Sequence, residues 1–587
     1  MTTENESTVE EELRFPQANV AAVEGIADVL DTSFGPLSRD KFIGESIASK
    51  STPDGTAHDE YVVTSDGGTI LESLPMEHPI APVFKRIVGD ERPGETDVEG
   101  ERVTDGVTGT VMLAGVLLSE AEELIADGLH PTTIREGYAT ALETTEDALR
   151  SARRPLTAGD DATDRRQSVA RTVMTGNDVG GKAERWASIA TEAADMVGYP
   201  TPNTLGIESV SGGSVEDARL VRGTILPRNT FARDEMPTEI EDANVLVLSG
   251  YKRTDAADGR VGGLRNPELQ ADATLNVSSP DDIDDYNRLY AERREQIVDR
   301  LVAADVDVVF CRLGIDTEFL EALVAEGIAG VRGVNRNRLT RIARATGAAV
   351  VHDPREVSAA DLGFAGRVAE IDVGKRSGRR SRRRGILVED CSDPDSVTVF
   401  LPGLGSERGV EAGRQIRKGA AAVALASGDY GETPGVVPGG GAVDIGIARD
   451  VRRAAQKRDS RLQVAMLAFA DAVEGAPAGL ARNAGLDPLD TVSELVTASN
   501  GYDVGLVFPE KRVGNAVEAG ILDPYATRRH SYVTAVEVVG TILRIDDAVD
   551  ADVPQTPADE GEAIYDDRAE KHQDHLEEHG TDGTVWG

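Results

Sequence analysis

Three short segments carry residues able to hold a phosphorylated ligand. The sharpest is Thr104-Asp105-Gly106-Val107-Thr108-Gly109-Thr110, directly ahead of the apolar run Val111 to Leu118. A Gly-rich turn at the start of a helix leaves backbone N–H groups without acceptors and turns the positive end of the helix dipole outward, which suits a phosphate. Asp105 stands where a carboxylate would hold Mg2+ on that phosphate. An ordinary capped helix is written with the same residues, so this segment alone leaves both readings open.

The second segment, Ser65-Asp66-Gly67-Gly68-Thr69, follows the strand-like Tyr61-Val62-Val63 and by itself reads as a turn. The third, Gly428-Asp429-Tyr430-Gly431-Glu432, ends an Ala-rich helical run shortly before Gly439-Gly440-Gly441. Consecutive glycines let a backbone approach a ligand closely, although a flexible loop looks the same. Gly35-Pro36 and Gly520-Ile521-Leu522-Asp523-Pro524 add two more turns.

The elements that must position these turns fall into three blocks. Helical periodicity appears at about 18–33, 79–90, 108–128 and 131–153, the last two separated by Gly128-Leu129-His130-Pro131. After Gly212-Gly213 the character changes to short β-rich runs, Leu220 to Leu226 and Val245 to Leu248, then a charged helix over 281–304. Strand-like Val306 to Phe310, a helix over 316–326 and strand-like Ile328 to Val331 alternate as α/β units do. From about 408 long Ala-rich helices return and run to near Ala548, with little β signal. The outer blocks resemble each other, and the middle one reads as an insertion.

Composition bounds what such a chain does. With 587 residues it is too long for one core, so about two to four domains are expected. Hydrophobic residues are 40% and aromatics only 4%, which leaves Ala, Val, Leu and Ile to build the interior. Asp plus Glu number 103 against 62 Lys plus Arg, a formal charge of -41 that opposes nucleic acid and anionic membrane. Only 10 of the cations are lysine and 52 are arginine; acid excess with scarce lysine suits a salt-rich, halophile cytoplasm. Cys311 and Cys391 lie in unrelated segments and are expected as buried thiols in a reducing compartment. The N-terminus lacks the basic and apolar regions of a leader, and no run approaches 18 consecutive apolar residues, so a cytoplasmic chain is expected.

Taken in order, these segments resemble the group II chaperonins, the archaeal thermosome and its eukaryotic cytosolic relatives. The resemblance spans roughly 17–548. It rests on Thr32-Ser33-Phe34-Gly35-Pro36, Ser65-Asp66-Gly67-Gly68-Thr69-Ile70-Leu71, Glu77-His78-Pro79, the Asp105 loop with Leu113-Ala114-Gly115, and Gly212-Gly213-Ser214-Val215-Glu216-Asp217. Further on it rests on Gly439-Gly440-Gly441-Ala442, Asn483-Ala484-Gly485-Leu486-Asp487-Pro488 and Ile542-Leu543-Arg544-Ile545-Asp546-Asp547.

The resemblance implies the multi-domain chaperonin fold. A mainly α-helical equatorial domain would be formed by 17–150 and 405–550, and a small α/β intermediate domain by 151–211 and 366–404. An α/β apical domain would occupy 212–365, with its helical protrusion in 265–296, and the acidic ends 1–16 and 551–587 would be tails. It further implies an ATPase that uses ATP and Mg2+, with K+ as an accompanying cation. Such a subunit would work in stacked rings with other chaperonin subunits, enclosing non-native client proteins. Residue by residue, Asp105 would hold the metal, while Gly106, Val107, Thr108 and Gly109, with Ser33, Gly35 and Pro36, would line the phosphates. Gly440 and Asp523 would lie against the nucleoside, Asp66 would position metal or water, and Asp429 would activate the attacking water. Charge neutralisation, backbone donors and one oriented water are the parts phosphoryl transfer needs.

Departures from the family bear on turnover. The family's phosphate loop carries hydroxyls where this chain has Val107 and Gly109, and a lysine of the first turn is lost in Gly35-Pro36-Leu37-Ser38. An insertion within Asp90 to Gly100 precedes the loop. These changes leave a second reading open, a structural or holdase subunit of a mixed ring with weak ATPase, while an unrelated ligase or kinase lacks its Walker-type or kinase signature here. The basic run Lys375 to Arg384 reads as a solvated hairpin or a contact to an acidic neighbour rather than an RNA site.

Overall fold

The computed structural model describes residues 15–545, apart from 45–60, 75–79, 81–82, 85–105, 157–159, 176–181, 253–259, 262–263, 265–279, 376–381 and the single positions 228, 250, 405 and 459. The acidic ends, Asp105, the Glu77-His78-Pro79 stretch, most of the expected helix 79–90 and the first part of the expected protrusion lie outside the described residues.

The first part of the chain supplies helices α1 (Phe15–Asp31), α2 (Gly67–Ser73), α3 (Val107–Ala126) and α4 (Pro131–Ala152). Strands β1 (Lys41–Gly44) and β2 (Tyr61–Thr64) pair antiparallel between α1 and α2. The expected start of α4 is as the sequence dictates: His130 accepts from the Thr132 N–H at 3.2 Å, and Pro131 occupies the first turn, where its missing donor costs nothing. The buried face of α4 carries Ile134, Tyr138, Ala141 and Leu149. The Tyr138 hydroxyl donates to the Leu117 carbonyl of α3 at 2.8 Å, and its ring meets Phe469 edge-on at 5.9 Å.

Helices α5 (Asp160–Met174) and α6 (Ala183–Val197) lead into β3 (Leu205–Val210), β4 (Arg219–Val221), β5 (Thr224–Leu226) and the long β6 (Glu239–Leu248). A two-residue pair, β7 (Tyr251–Lys252) with β8 (Arg260–Val261), precedes α7 (Pro280–Ala303). Then β9 (Val308–Cys311), α8 (Thr317–Ala325), β10 (Ala329–Val331), α9 (Arg336–Thr346) and β11 (Val350–Val351) alternate as expected. Strands β12 (Gly363–Lys375), β13 (Arg382–Glu389) and β14 (Val397–Pro402) complete the middle of the chain.

Two sheets arise from these strands. The larger, seven-stranded, runs β10-β9-β6-β12-β13-β5, with β11 added parallel to the end of β6. Its members β6, β9 and β10 are parallel; β9, Val308 to Cys311, and β10 are buried throughout and β6 is buried over Val245 to Leu248, as a sheet covered by helices requires. The smaller sheet runs β3-β14-β4 and packs with α6 and α10 (Ser406–Ser427) around Trp186, Leu205, Val397 and Ile416. The boundary expected between 365 and 366 bears on this sheet. It falls inside β12, whose pairing with β6 on one side and β13 on the other is continuous, so the larger sheet runs on to Glu389. Strands β12 and β13 are the arms of a hairpin flanking the basic run, and Arg384 pairs with Glu370 at 3.0 Å.

The last part of the chain returns to helices α11 (Ala442–Ala455), α12 (Ser460–Val473), α13 (Gly475–Asn483), α14 (Pro488–Ala498) and α15 (Tyr525–Ile542). Two short pairs were not expected: β15 (Val436–Pro438) with β18 (Leu522–Pro524), and β16 (Val504–Val507) with β17 (Arg512–Asn515). Helices α11, α12 and α15 pack on α3 and α4, so the two ends of the chain make one helical unit. Close approach depends on small residues: a Cβ built on Gly137 would lie 2.4 Å from that of Ala465. One stretch, Arg461–Asn483, is long and apolar enough by composition to cross a membrane, and 61% of its apolar window is buried inside the protein. Helix α12 ends and α13 begins within it, on either side of Glu474. Cys311 and Cys391 are buried thiols outside any disulfide, and burial pushes the Cys391 thiol up to about 12, where it is inert.

Candidate functional site

A cleft of about 440 Å3, within the size range of small-ligand sites, opens where the two ends of the chain meet. Ser33, Gly35, Pro36, Asp66, Gly106, Val107, Thr108, Gly109, Gly440 and Asp523 all line it. Ten of the twelve expected site residues therefore converge from five separated segments. Asp105 lies outside the described residues, and Asp429 is the one described residue that the cleft does not include.

Each wall is fixed locally. Asp66 caps α2: one carboxylate oxygen accepts from the Thr69 N–H at 2.9 Å and from the Thr69 hydroxyl at 2.7 Å. Gly106 caps α3 at φ 82°, a conformation that only glycine adopts without cost. A Cβ there would also press on Ser531 and Thr527 of α15, at 2.9 and 3.0 Å. The N–H groups of Val107, Thr108 and Gly109 begin the helix and have no acceptor inside it. The Gly67 turn touches this same loop, since a Cβ on Gly67 would sit 2.1 Å from the Thr108 hydroxyl oxygen.

The opposite wall is the glycine triplet. Gly440, at φ 63°, accepts from the Leu506 N–H at 2.8 Å, and the Gly439 N–H donates to the Ile521 carbonyl at 2.9 Å. The β15–β18 pairing sets Val437 opposite Asp523, which brings Asp523 beside the triplet. Behind it, Arg528 is paired with Asp444, and Tyr532 donates to the same Asp444 oxygen at 2.5 Å. The turn after α1 is tied down by Asn483, whose amide donates to the Asp31 and Phe34 carbonyls at 2.7 and 2.8 Å. The Ser33 hydroxyl donates to the Arg39 carbonyl at 3.0 Å.

Asp429 stands in a single helical turn after α10, where a Cβ on Gly198 would lie 3.4 Å from its carboxylate oxygen. It faces the end of α6, and partial burial raises its pKa. In this conformation the carboxylate expected to activate water is therefore not part of the cleft.

The sequence reading missed Lys418. It projects from α10 into the cleft, and its ammonium pairs with the second oxygen of Asp66. Burial pushes the Asp66 carboxyl up, but the Lys418 charge and the hydrogen bonds from Lys418 and Thr69 more than offset this and hold it below the usual range. A lone lysine in an Ala-rich helix of a lysine-poor chain was the available signal. Arg171, Thr172 and Glu184, from α5 and α6, also line the cleft without having been singled out.

The arrangement suits phosphates: the N-termini of α3 and α11 open into it, and cations come from Arg171, Lys418 and Arg528. It suits a divalent ion at Asp66 less well. Both Asp66 oxygens are engaged, its charge is neutralised, and among the described residues no group of three His, Cys, Asp or Glu side chains is arranged to hold a metal.

The cleft, walled by both chain ends around an inserted sheet-bearing block, defines a split-domain protein whose family can be read from its relatives. Residues 26–553 match the model of the TCP-1/cpn60 chaperonin family. The chain is 32% identical over 539 residues to the thermosome subunit alpha of Halobacterium salinarum, covering 91% of this chain and 88% of that one. It is also 32% identical over 543 residues to the thermosome subunit beta of Archaeoglobus fulgidus, covering 91% of each. The chain belongs to the TCP-1/cpn60 chaperonin family, on its group II branch.

Proposed function

We propose that the chain is a subunit of a cytoplasmic group II chaperonin double ring, made with copies of itself or with other chaperonin subunits, that binds ATP in the cleft and encloses non-native proteins. The observation that carries this reading is the convergence of Ser33, Gly35, Pro36, Asp66, Gly106 to Gly109, Gly440 and Asp523 on one cleft. The helical unit is the equatorial domain. On its packing, the intermediate domain is taken as α5, α6 and α10 with the β3-β14-β4 sheet, which adds β4 and α10 to the expected 151–211 and 366–404, and the apical domain as the seven-stranded sheet with α7, α8 and α9, which adds β12 and β13 to the expected 212–365. In this reading the glycine turns would supply backbone donors to the phosphates, Asp105 would hold a Mg2+ that neutralises phosphate charge, and the turn after α10 would carry Asp429 toward its water when the intermediate domain closes.

Three observations favour a second reading, a nucleotide-holding subunit with weak ATPase. Lys418 neutralises Asp66, Asp429 faces Gly198, and Val107 and Gly109 replace hydroxyls of the phosphate loop. Steady-state ATP hydrolysis by purified rings in high KCl, with and without Asp429→Ala, separates the two. Turnover that vanishes in the variant supports a working ATPase; ADP binding without turnover in either protein supports the nucleotide-holding subunit. Absence of nucleotide binding altogether sinks both.

A further inference from the structure

Of the three cations lining the cleft, two are committed to holding its walls together. Arg171 donates to Glu184 and to the Ser168 hydroxyl at 3.0 and 3.1 Å, joining α5 to α6. Arg528 is bound by Asp444 and stacks its guanidinium 5.4 Å from the centre of the Tyr532 ring. Lys418 differs. Its side chain is 15% exposed and its partner Asp66 5%, and the pair, which ties α10 to the cap of α2, is buried in a wall of the cleft. The Asp66-Gly67 turn touches Lys418 on one side and Thr108, in the first turn of α3, on the other. The ammonium and the first turn of α3 therefore flank the same Asp66-Gly67 turn and line the same cleft.

An ammonium is a compact point charge with three donors, and Asp66 takes one of them. In a cleft that gathers helix N-termini, the remaining donors face the same anion that those N-termini attract. The residues around Asp66 fit a divalent ion poorly, because both of its oxygens are already occupied. We infer that Lys418 is a built-in countercharge for nucleotide phosphates, so that this cleft holds nucleotide without requiring Mg2+. The inference rests on the nucleotide reading of the cleft and specifies its cation requirement. It also accounts for an otherwise costly choice, a buried lysine in a chain with only 10 of them.

The test is calorimetric titration of assembled protein with ADP in high KCl, once with EDTA and once with MgCl2. Wild type is expected to change affinity by less than about threefold between the two. Lys418→Met is expected to weaken ADP by about tenfold or more in EDTA and to recover most of that with Mg2+. Lys418→Arg keeps the charge and retains binding in EDTA. Because Lys418→Met leaves Asp66 buried without its partner, the double variant Asp66→Asn, Lys418→Met supplies a folded control that shows the same loss in EDTA. The inference is overturned if wild type itself loses about a hundredfold in EDTA, or if Lys418→Met binds ADP in EDTA as tightly as wild type. Wild type that fails to bind ADP even with Mg2+ overturns the nucleotide reading itself, an outcome distinct from binding that depends on the metal.

Discussion

Arg341, on α9 of the larger sheet, donates to Glu208 on β3 of the smaller sheet at 3.3 Å, and both side chains are buried. Arg338 reaches the same carboxylate oxygen, also at 3.3 Å. Desolvation lowers the Arg341 pKa, and the Glu208 charge opposes that shift. One carboxylate thus holds two guanidinium groups at the joint between two sheets. Among the described residues Glu208 is the ion-pair partner of both arginines, and Glu208→Ala removes it. The substitution is expected to cost about 3–5 kcal/mol, read as a lowered denaturation midpoint, since Arg341 remains buried without its partner. A variant as stable as wild type refutes the joint.

The Asp66–Lys418 pair predicts a pH dependence of defined sign. Against the effect of burial, Lys418 and Thr69 hold the folded-state pKa of Asp66 below that of a free aspartate, so the pair stabilises the fold above the free value and its contribution disappears as the pH falls through the lower, folded value. In Asp66→Asn the midpoint at neutral pH drops by the equivalent of about 3–5 kcal/mol, because Lys418 is left buried and unpaired. The difference from wild type narrows only below about pH 4. A gap that stays constant down to acid unfolding contradicts the assignment.

Gly106→Ala tests the phosphate turn. The left-handed backbone costs a non-glycine residue about 1–2 kcal/mol, and the added methyl meets Ser531 and Thr527. Reduced thermal stability together with weaker ADP binding is expected. Loss of stability with unchanged ADP affinity would show that the turn is only a helix cap.

Asp429 carries the opposite sign from Asp66. Burial raises its pKa, so ionisation as the pH rises through that value opposes folding. Asp429→Asn is expected to be at least as stable as wild type at pH 7 and indistinguishable from it at acid pH, with ADP affinity unchanged because the residue lies outside the cleft. Weakened ADP binding in differential titrations would place Asp429 in the binding wall after all.

Tyr138→Phe removes one buried hydrogen bond to the Leu117 carbonyl while keeping the ring against Phe469. A loss of about 1 kcal/mol is expected from denaturation midpoints, and none in ADP affinity.

Much of this was legible in the sequence because it is written locally. Pro131 after His130 starts α4, the run Val308 to Cys311 is apolar enough for a covered parallel strand, and each glycine turn announces a loop. What escaped depends on contacts between distant residues. Strand β15 is three residues long and becomes a strand only because β18 pairs with it, so nothing near Val436 marks it. The extent of the larger sheet was not legible, because β12 runs unbroken through position 365, where the α/β alternation stops but pairing does not. Lys418 and Asp66 are 352 positions apart, and a single charge on a helix carries no sign of what it will face. The position of Asp429 escaped for the same reason, since spacing to the glycine triplet fixes register along the chain and not direction in space.

The wall of the cleft contains Ser33 and Ser531. During synthesis, then, nothing that binds there can do so until nearly the whole chain has left the ribosome, whereas the larger sheet closes between Thr224 and Glu389. At about 5–20 residues per second, the first helices wait tens of seconds for their partners α11, α12 and α15. In that interval the apolar face of α3 has no cover from its own C-terminal half, and the nascent subunit is itself a non-native chain in need of protection.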